Sequence, residues 1–329
     1  MSTNKATTSN DAISLTGVTK MFRTTPFKRK TAVRDLTFSV AQGEVVGLLG
    51  ANGSGKSTTI KMIMGFLKPT FGEILVCGHS AEEKIARSFI GYLPENPRFQ
   101  KFLRADQVMH YFASLLGMSR AGAESKSREL LELVGLTYAA RERIQVFSKG
   151  MTQRLAVAQS LLNDPKILIF DEPMSGLDPL GRMEIRQLIG RIHSDLPHTT
   201  IFFSTHILGD VEQLCSSVIL LKNGALTRHC QLSELLVGNL LRYELQAKDL
   251  SPELEEKFLT LPGARRTASG LLVNLDDTSE LLDYLGRIQK TGAKVVSLTT
   301  HRKNLEEALF SDRITQIAHG NTKRVEESK

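Results

Sequence analysis

The residues with the clearest chemical potential lie at positions 50–58, Gly50-Ala51-Asn52-Gly53-Ser54-Gly55-Lys56-Ser57-Thr58. Glycines at these spacings let backbone N–H groups turn inward around phosphate oxygens, and a helix starting at the lysine adds partial positive charge. Lys56 reaches the β- and γ-phosphates of a nucleotide, and the Ser57 hydroxyl suits a Mg²⁺ ion. A second set lies at Asp171-Glu172, behind the apolar run Ile167-Leu168-Ile169-Phe170. Asp171 suits water-mediated metal binding beside Ser57. Glu172 is placed to polarise a water in line with the terminal phosphate. Ser148 and Gly150 open an amphipathic segment with Leu155, Ala158, Leu161 and Leu162. Ser148 reads as a helix N-cap, and the same geometry makes an anion site. Ser175-Gly176-Leu177-Asp178 follows the acids, and His206 closes another apolar run.

These groups need strands to present them. Val45–Leu49 precedes the glycine loop, and an apolar 3–4 spacing at Ile60, Ile63, Met64 and Leu67 follows it. Apolar runs at 166–170, 201–204 and 217–221 are bounded by turns or charges, as buried parallel strands are. Weaker alternation predicts strands over 13–16, 36–40 and 73–77, and helical patterns cover 57–67, 105–116, 124–134, 150–163 and 179–194. The alternation of strands and helices predicts an α/β parallel sheet. Residues 96–164 hold helical patterns with almost no strand signal, which predicts an inserted helical subdomain.

The last hundred residues read differently. Strand patterns near 242–246, 263–267, 271–275 and 294–299 alternate with helical ones at 252–259 and 279–289. That β-α-β-β-α-β order is the ferredoxin-like one. A final helix is expected over 303–310. The domain plan is thus a disordered tail at 1–11, a nucleotide-binding domain at 12–230, an accessory α+β domain at 240–312 and a charged tail at 313–329.

The chain has 329 residues, 41% hydrophobic and 23% charged, with net charge +7. No run approaches the roughly 18 apolar residues of a membrane span. The polar start lacks the core of a secretory signal, so a cytosolic or membrane-surface location is expected. Lys28-Arg29-Lys30, with Arg23 and Arg34 nearby, reads either as a solvated loop or as a contact with phosphate or membrane. Cys77, Cys215 and Cys230 form no metal-type pair and read as reduced thiols.

Taken in order, these motifs resemble the nucleotide-binding subunit of ATP-binding cassette (ABC) transporters, over residues 13–228. The resemblance implies a P-loop NTPase core of the ABC type, with ATP and Mg²⁺ as ligands. It also implies that Phe22 stacks on adenine, that Glu95 stands where a metal-binding glutamine is usual, and that Asp178 ends the loop after the acids. Ser148 and Gly150 then belong to the signature, Glu172 is the catalytic base and His206 the switch histidine. The signature departs from Leu-Ser-Gly-Gly-Gln, reading Phe147-Ser148-Lys149-Gly150-Met151. These departures, the C-terminal extension and the segment Asn304-Leu305-Glu306-Glu307-Ala308-Leu309-Phe310 look like the branch whose multi-span permease is a separate polypeptide, often an exporter. The resemblance further implies a head-to-tail dimer with itself or a related subunit, seated on the cytoplasmic face of the membrane. The competing expectations are a soluble ABC ATPase acting on nucleic acid or ribosomes, and a small-molecule kinase. No paired cassettes, coiled coil or zinc site favours the former, and the signature argues against the latter. Binding to nucleic acid is not expected.

Overall fold

The computed structural model describes residues 11–25, 28–233, 241–261, 263–275 and 278–302. Two units divide the chain after Leu232.

In the first unit, β1 (Asp11–Thr25) and β2 (Lys28–Ala41) form a long hairpin, followed by β3 (Val45–Leu49) and α1 (Lys56–Ile63). Next come β4 (Phe71–Val76), β5 (His79–Ser80), α2 (Lys84–Ser88) and β6 (Ile90–Leu93). The helical subdomain contributes α3 (Ala105–Leu115), α4 (Arg120–Leu133) and α5 (Lys149–Ser160). The chain returns through β7 (Ile167–Phe170), α6 (Pro179–Asp195), β8 (Thr200–Thr205), α7 (Leu208–Leu214), β9 (Ser217–Lys222) and β10 (Ala225–Gln231). One sheet has the order β10-β9-β3-β8-β7-β6, parallel except for β10. A second, antiparallel sheet has the order β2-β1-β4-β5.

The apolar runs are continuous because the central strands are covered on both faces. Val46, Leu48, Ile167, Ile169 and Phe202 pack with Ile60 and Ile63 of α1 and with the antiparallel sheet. Their neighbours Val45, Leu168, Phe170, Ile201 and Phe203 point the other way, into a core with α3, α4, α5 and α6. The period of two along each strand therefore splits one apolar run between two cores.

The first two strands are far longer than the expected 13–16 and 36–40. Several register shifts interrupt their pairing, and each breaks the alternation from which a strand is read. Lys28, Arg29 and Lys30 belong to β2 rather than to a loop, and Asp11 already belongs to β1. The edge strand β10 and the short strand β6 carry polar or glycine residues that hid them.

The second unit runs β11 (Leu241–Lys248), α8 (Pro252–Leu259), β12 (Arg265–Thr267), β13 (Gly270–Leu275), α9 (Thr278–Thr291) and β14 (Lys294–Arg302). Its antiparallel sheet has the order β12-β13-β11-β14, a split β-α-β arrangement. Leu245, Val273 and Phe258 lie in its core with Leu281 and Ile288. The expected helix at 303–310, the tail at 313–329 and residues 1–10 lie outside the described residues.

Candidate active site

Strand β3 ends at the glycine loop. A Cβ on Gly50 would collide with the Ser54 hydroxyl and stand 2.6 Å from the Leu221 carbonyl oxygen, so no larger residue fits. Gly55 caps α1 at φ 108°, in the region that favours glycine, and no side chain caps that helix end. The first N–H groups of α1 are thus left for an anion. Lys56 is 5% exposed and folds back over the loop, with its ammonium 2.7 Å from the Gly50 oxygen and 3.3 Å from the Ala51 oxygen.

Strand β7 delivers the paired acids beside this loop. The Ser57 hydroxyl donates to Asp171 Oδ1 at 3.2 Å, and Ser204 Oγ lies 2.7 Å from the same oxygen. The Glu172 N–H donates to Ser204 Oγ at 2.9 Å. Glu172 itself sits at φ 49°, a left-handed conformation that costs a non-glycine residue about 1–2 kcal/mol. Its two oxygens reach different partners: Oε1 is 3.2 Å from Lys56 Nζ, and Oε2 is 2.8 Å from His206 Nδ1. Half-buried Tyr92 is pushed up to about 12, first by burial and then by the Asp171 and Glu95 charges, so its hydroxyl stays protonated.

Ten of the expected residues line one cleft of about 600 Å³: Phe22, Asn52, Gly53, Gly55, Lys56, Ser57, Thr58, Glu95, Glu172 and His206. Gly50, Ser54 and Asp171 are buried around it. Phe22 is 39% exposed, an open aromatic face with Lys20 Nζ 5.5 Å from its ring centre. Thr31, Ala32, Ser175 and Asn223 also line the cleft without having been expected there, and so does Lys30, for which contact with phosphate is one of the two readings of its patch. Lys30 belongs to the basic patch. Its place opposite Phe22 is a cross-strand register, which a linear reading does not contain.

Ser148, Gly150 and Asp178 do not line this cleft. Ser148 caps α5, its Oγ accepting from the Met151 N–H at 3.1 Å, and is exposed. Asp178 caps α6, accepting from the Gly181 N–H at 3.0 Å. Helix α5 is nevertheless tied to the acids, because the buried Gln153 donates to the Pro173 oxygen at 2.8 Å. Lys149 Nζ lies close against Gly176.

A second layer lies behind His206. Asp210 is 1% exposed and holds Arg182 at 2.9 Å and Arg186 at 3.1 Å, with the Thr205 hydroxyl at 3.3 Å. Thr205 Oγ1 in turn accepts from the Ile207 N–H at 3.0 Å. The carboxylate therefore fastens α6 to the segment that carries His206. Asp210→Ala strands two part-buried guanidinium groups, and it is expected to lower the unfolding free energy by about 3 kcal/mol in urea titration. A loss under about 1 kcal/mol, the value of a surface pair, would deny it that role.

The oxygen donors suit Mg²⁺. Ser57 and Glu95 line the cleft, and the buried Asp171 accepts from the Ser57 hydroxyl beside it, a small oxygen set of the kind that Mg²⁺ takes together with phosphates and water. Among the described residues no group of three or more His, Cys, Asp and Glu is gathered for an all-protein metal site. Burial raises the Cys215 and Cys77 thiols, which keeps both protonated.

A parallel sheet with a glycine loop at one strand end, a buried lysine and paired acids at another defines a P-loop nucleotide hydrolase. The family model described as ABC transporter matches residues 33–175. The uncharacterized ABC transporter ATP-binding protein YxlF of Bacillus subtilis (strain 168) is 43% identical over 283 residues, covering 85% of this chain and 94% of that one. The bacitracin transport ATP-binding protein BcrA of Bacillus licheniformis is 33% identical over 305 residues, covering 90% and 95%. Among solved structures, cbiO1 from Clostridium perfringens, part of the ABC transporter complex cbiONQ, superposes with a TM-score of 0.62 at 26% identity, covering 69% of this chain and 91% of that one. The ATP-binding cassette MJ0796, in a dimeric post-hydrolysis state bound to ADP and Pi, gives 0.61 at 26% identity, covering 67% and 98%. The chain belongs to the ATP-binding subunits of ABC transporters, and its enzymatic activity is that of an ATPase.

Proposed function

We propose that the chain binds ATP in the cleft at Lys56 and closes over it by pairing head to tail with a second copy or a related subunit. One observation carries this reading. The cleft is furnished by the glycine loop, the acids and His206, while Ser148 and Gly150 open a helix N-terminus outside it. A second chain brings that N-terminus to the phosphates, where its N–H groups and hydroxyl suit an anion. The dimeric MJ0796 cassette bound to ADP and Pi supports the pairing.

Within the cleft, Phe22 offers a stacking face for adenine, and Asn52, Gly53, Ser54, Gly55 and Thr58 shape the phosphate loop. Lys56 neutralises the β- and γ-phosphates. Ser57, Asp171 and Glu95 would hold Mg²⁺, which would supply neutralisation of the phosphate charge. Glu172 accepts the proton of the attacking water, and His206, aligned by its contact with Glu172, holds the terminal phosphate. Asp178 sets the loop that meets the partner chain.

The work is delivered to a separate multi-span permease at the cytoplasmic face of the membrane, in the direction of export. A groove of about 670 Å³ beside the Glu95 loop, lined by Phe66, Tyr92, Pro94, Phe99, Phe112 and Leu116, has the apolar character such a docking surface needs. The transport names of BcrA and of the cbiONQ complex support a role in transport. No helix among the described residues is long and apolar enough to cross a membrane.

The pairing is tested by sedimentation of the Glu172→Gln chain with ATP and Mg²⁺. A dimer is expected, and adding Ser148→Glu is expected to abolish it through repulsion at the phosphates without changing the affinity of the single chain for ATP. A monomer under all conditions, or a dimer indifferent to Ser148→Glu, would contradict the head-to-tail arrangement.

A further inference from the structure

We propose that Ser204 is a positioning residue for ATP hydrolysis, holding the two acids in one fixed relation. Ser204 is the next-to-last residue of β8, beside Thr205 and His206, and is fully buried. Its hydroxyl has one proton to give. Because Oγ already accepts the Glu172 N–H at 2.9 Å, that proton goes to Asp171 Oδ1 at 2.7 Å. One side chain thus joins the backbone of the catalytic base to the carboxylate of the metal-side acid.

The backbone explains why the joint is needed. Strands β7 and β8 pair in parallel up to Phe170 and Phe203. Asp171 still donates its N–H to the Leu93 oxygen on β6, at 2.9 Å. At Glu172 the chain turns to φ 49° and leaves the strand. Its N–H then lacks a ladder partner, and Ser204 supplies one. That turn accompanies the reach of Glu172 to Lys56 and His206, so the hydroxyl secures the conformation in which the base faces the cleft.

Asp171 Oδ1 also takes the Ser57 hydroxyl, at 3.2 Å. Ser57 belongs to the phosphate loop, where its oxygen would serve a bound Mg²⁺. Ser204 does not line the cleft, and its proton is directed at Asp171 alone. Groups that orient a metal-side carboxylate from behind typically change metal affinity or activity by about 10–100-fold when removed.

The test compares Ser204→Ala and Ser204→Thr with the unaltered full chain, and rests on ATP hydrolysis at this site. Three quantities are read: the melting temperature, the Kd of a fluorescent ATP analogue in EDTA and in Mg²⁺, and kcat with KM. For Ser204→Ala, the Kd in EDTA is expected to stay within about twofold, the tightening by Mg²⁺ to be lost, and kcat to fall about 10–100-fold with little change in KM. Ser204→Thr keeps the hydroxyl and is expected to restore both the Mg²⁺ effect and kcat. An alanine variant that only melts earlier, with wild-type kcat and Mg²⁺ response, would reduce Ser204 to a stabilising contact and overturn the proposal. A threonine variant as impaired as alanine at the wild-type melting temperature would overturn it as well. Hydrolysis that Glu172→Gln leaves intact would instead remove the assigned base, and the positioning role with it.

Discussion

Replacing Glu172 with glutamine is expected to slow ATP turnover by about 10²–10⁴-fold, the usual contribution of a positioned general base, while ATP binds at least as tightly as before. Glutamine keeps the shape and one oxygen but cannot take a proton from water. The effect on binding has a separate cause. Glu172 Oε1 holds the Lys56 ammonium at 3.2 Å, and both side chains are largely shielded from water, at 11% and 6% exposure. A phosphate and Glu172 compete for that cation, so removing the charge of Glu172 frees Lys56 for ATP. Phosphate release and calorimetric titration separate the two effects. Wild-type turnover in the variant would take the base role from Glu172, and a fall in affinity would deny the competition.

Lys56→Ala is expected to weaken ATP binding by about a hundredfold. Truncating one partner of a buried charge pair costs about 2–5 kcal/mol, and each 1.4 kcal/mol is about tenfold in Kd. The lysine is held by the Gly50 and Ala51 oxygens over the loop, so its charge is fixed where phosphate would enter rather than free to drift. Calorimetry with ATP in EDTA reads this contribution without the metal. Unchanged affinity would contradict the assignment of the loop as a phosphate cradle.

How much of this was legible in the sequence follows from the range of each interaction. The glycine loop is local: its spacing, the strand before it and the helix after it are contiguous, and the structure places Gly50 and Gly55 where only glycine fits. The strand that leads into Asp171 and Glu172 is legible too, because a strand buried on both faces leaves an unbroken apolar run. What escaped depends on which strands lie side by side. Ser204 reads as one more small residue at a strand end until β8 is set beside β7. Lys30 reads as part of a basic patch until β2 is folded against β1, which puts it across from Phe22. Asp210 looks like an ordinary helix acid until α6 brings two arginines to it. The long hairpin is only partly legible because its register shifts erase the alternation on which a strand is recognised.

The most direct test of the account is to recover the tagged Glu172→Gln chain from detergent-solubilised membranes in ATP and Mg²⁺ and to identify what accompanies it. The account predicts a stoichiometric multi-span membrane protein, retained with ATP and weakened by Lys56→Ala. Recovery of ribosomes or nucleic acid with no membrane protein would contradict it and assign the ATPase to a soluble partner.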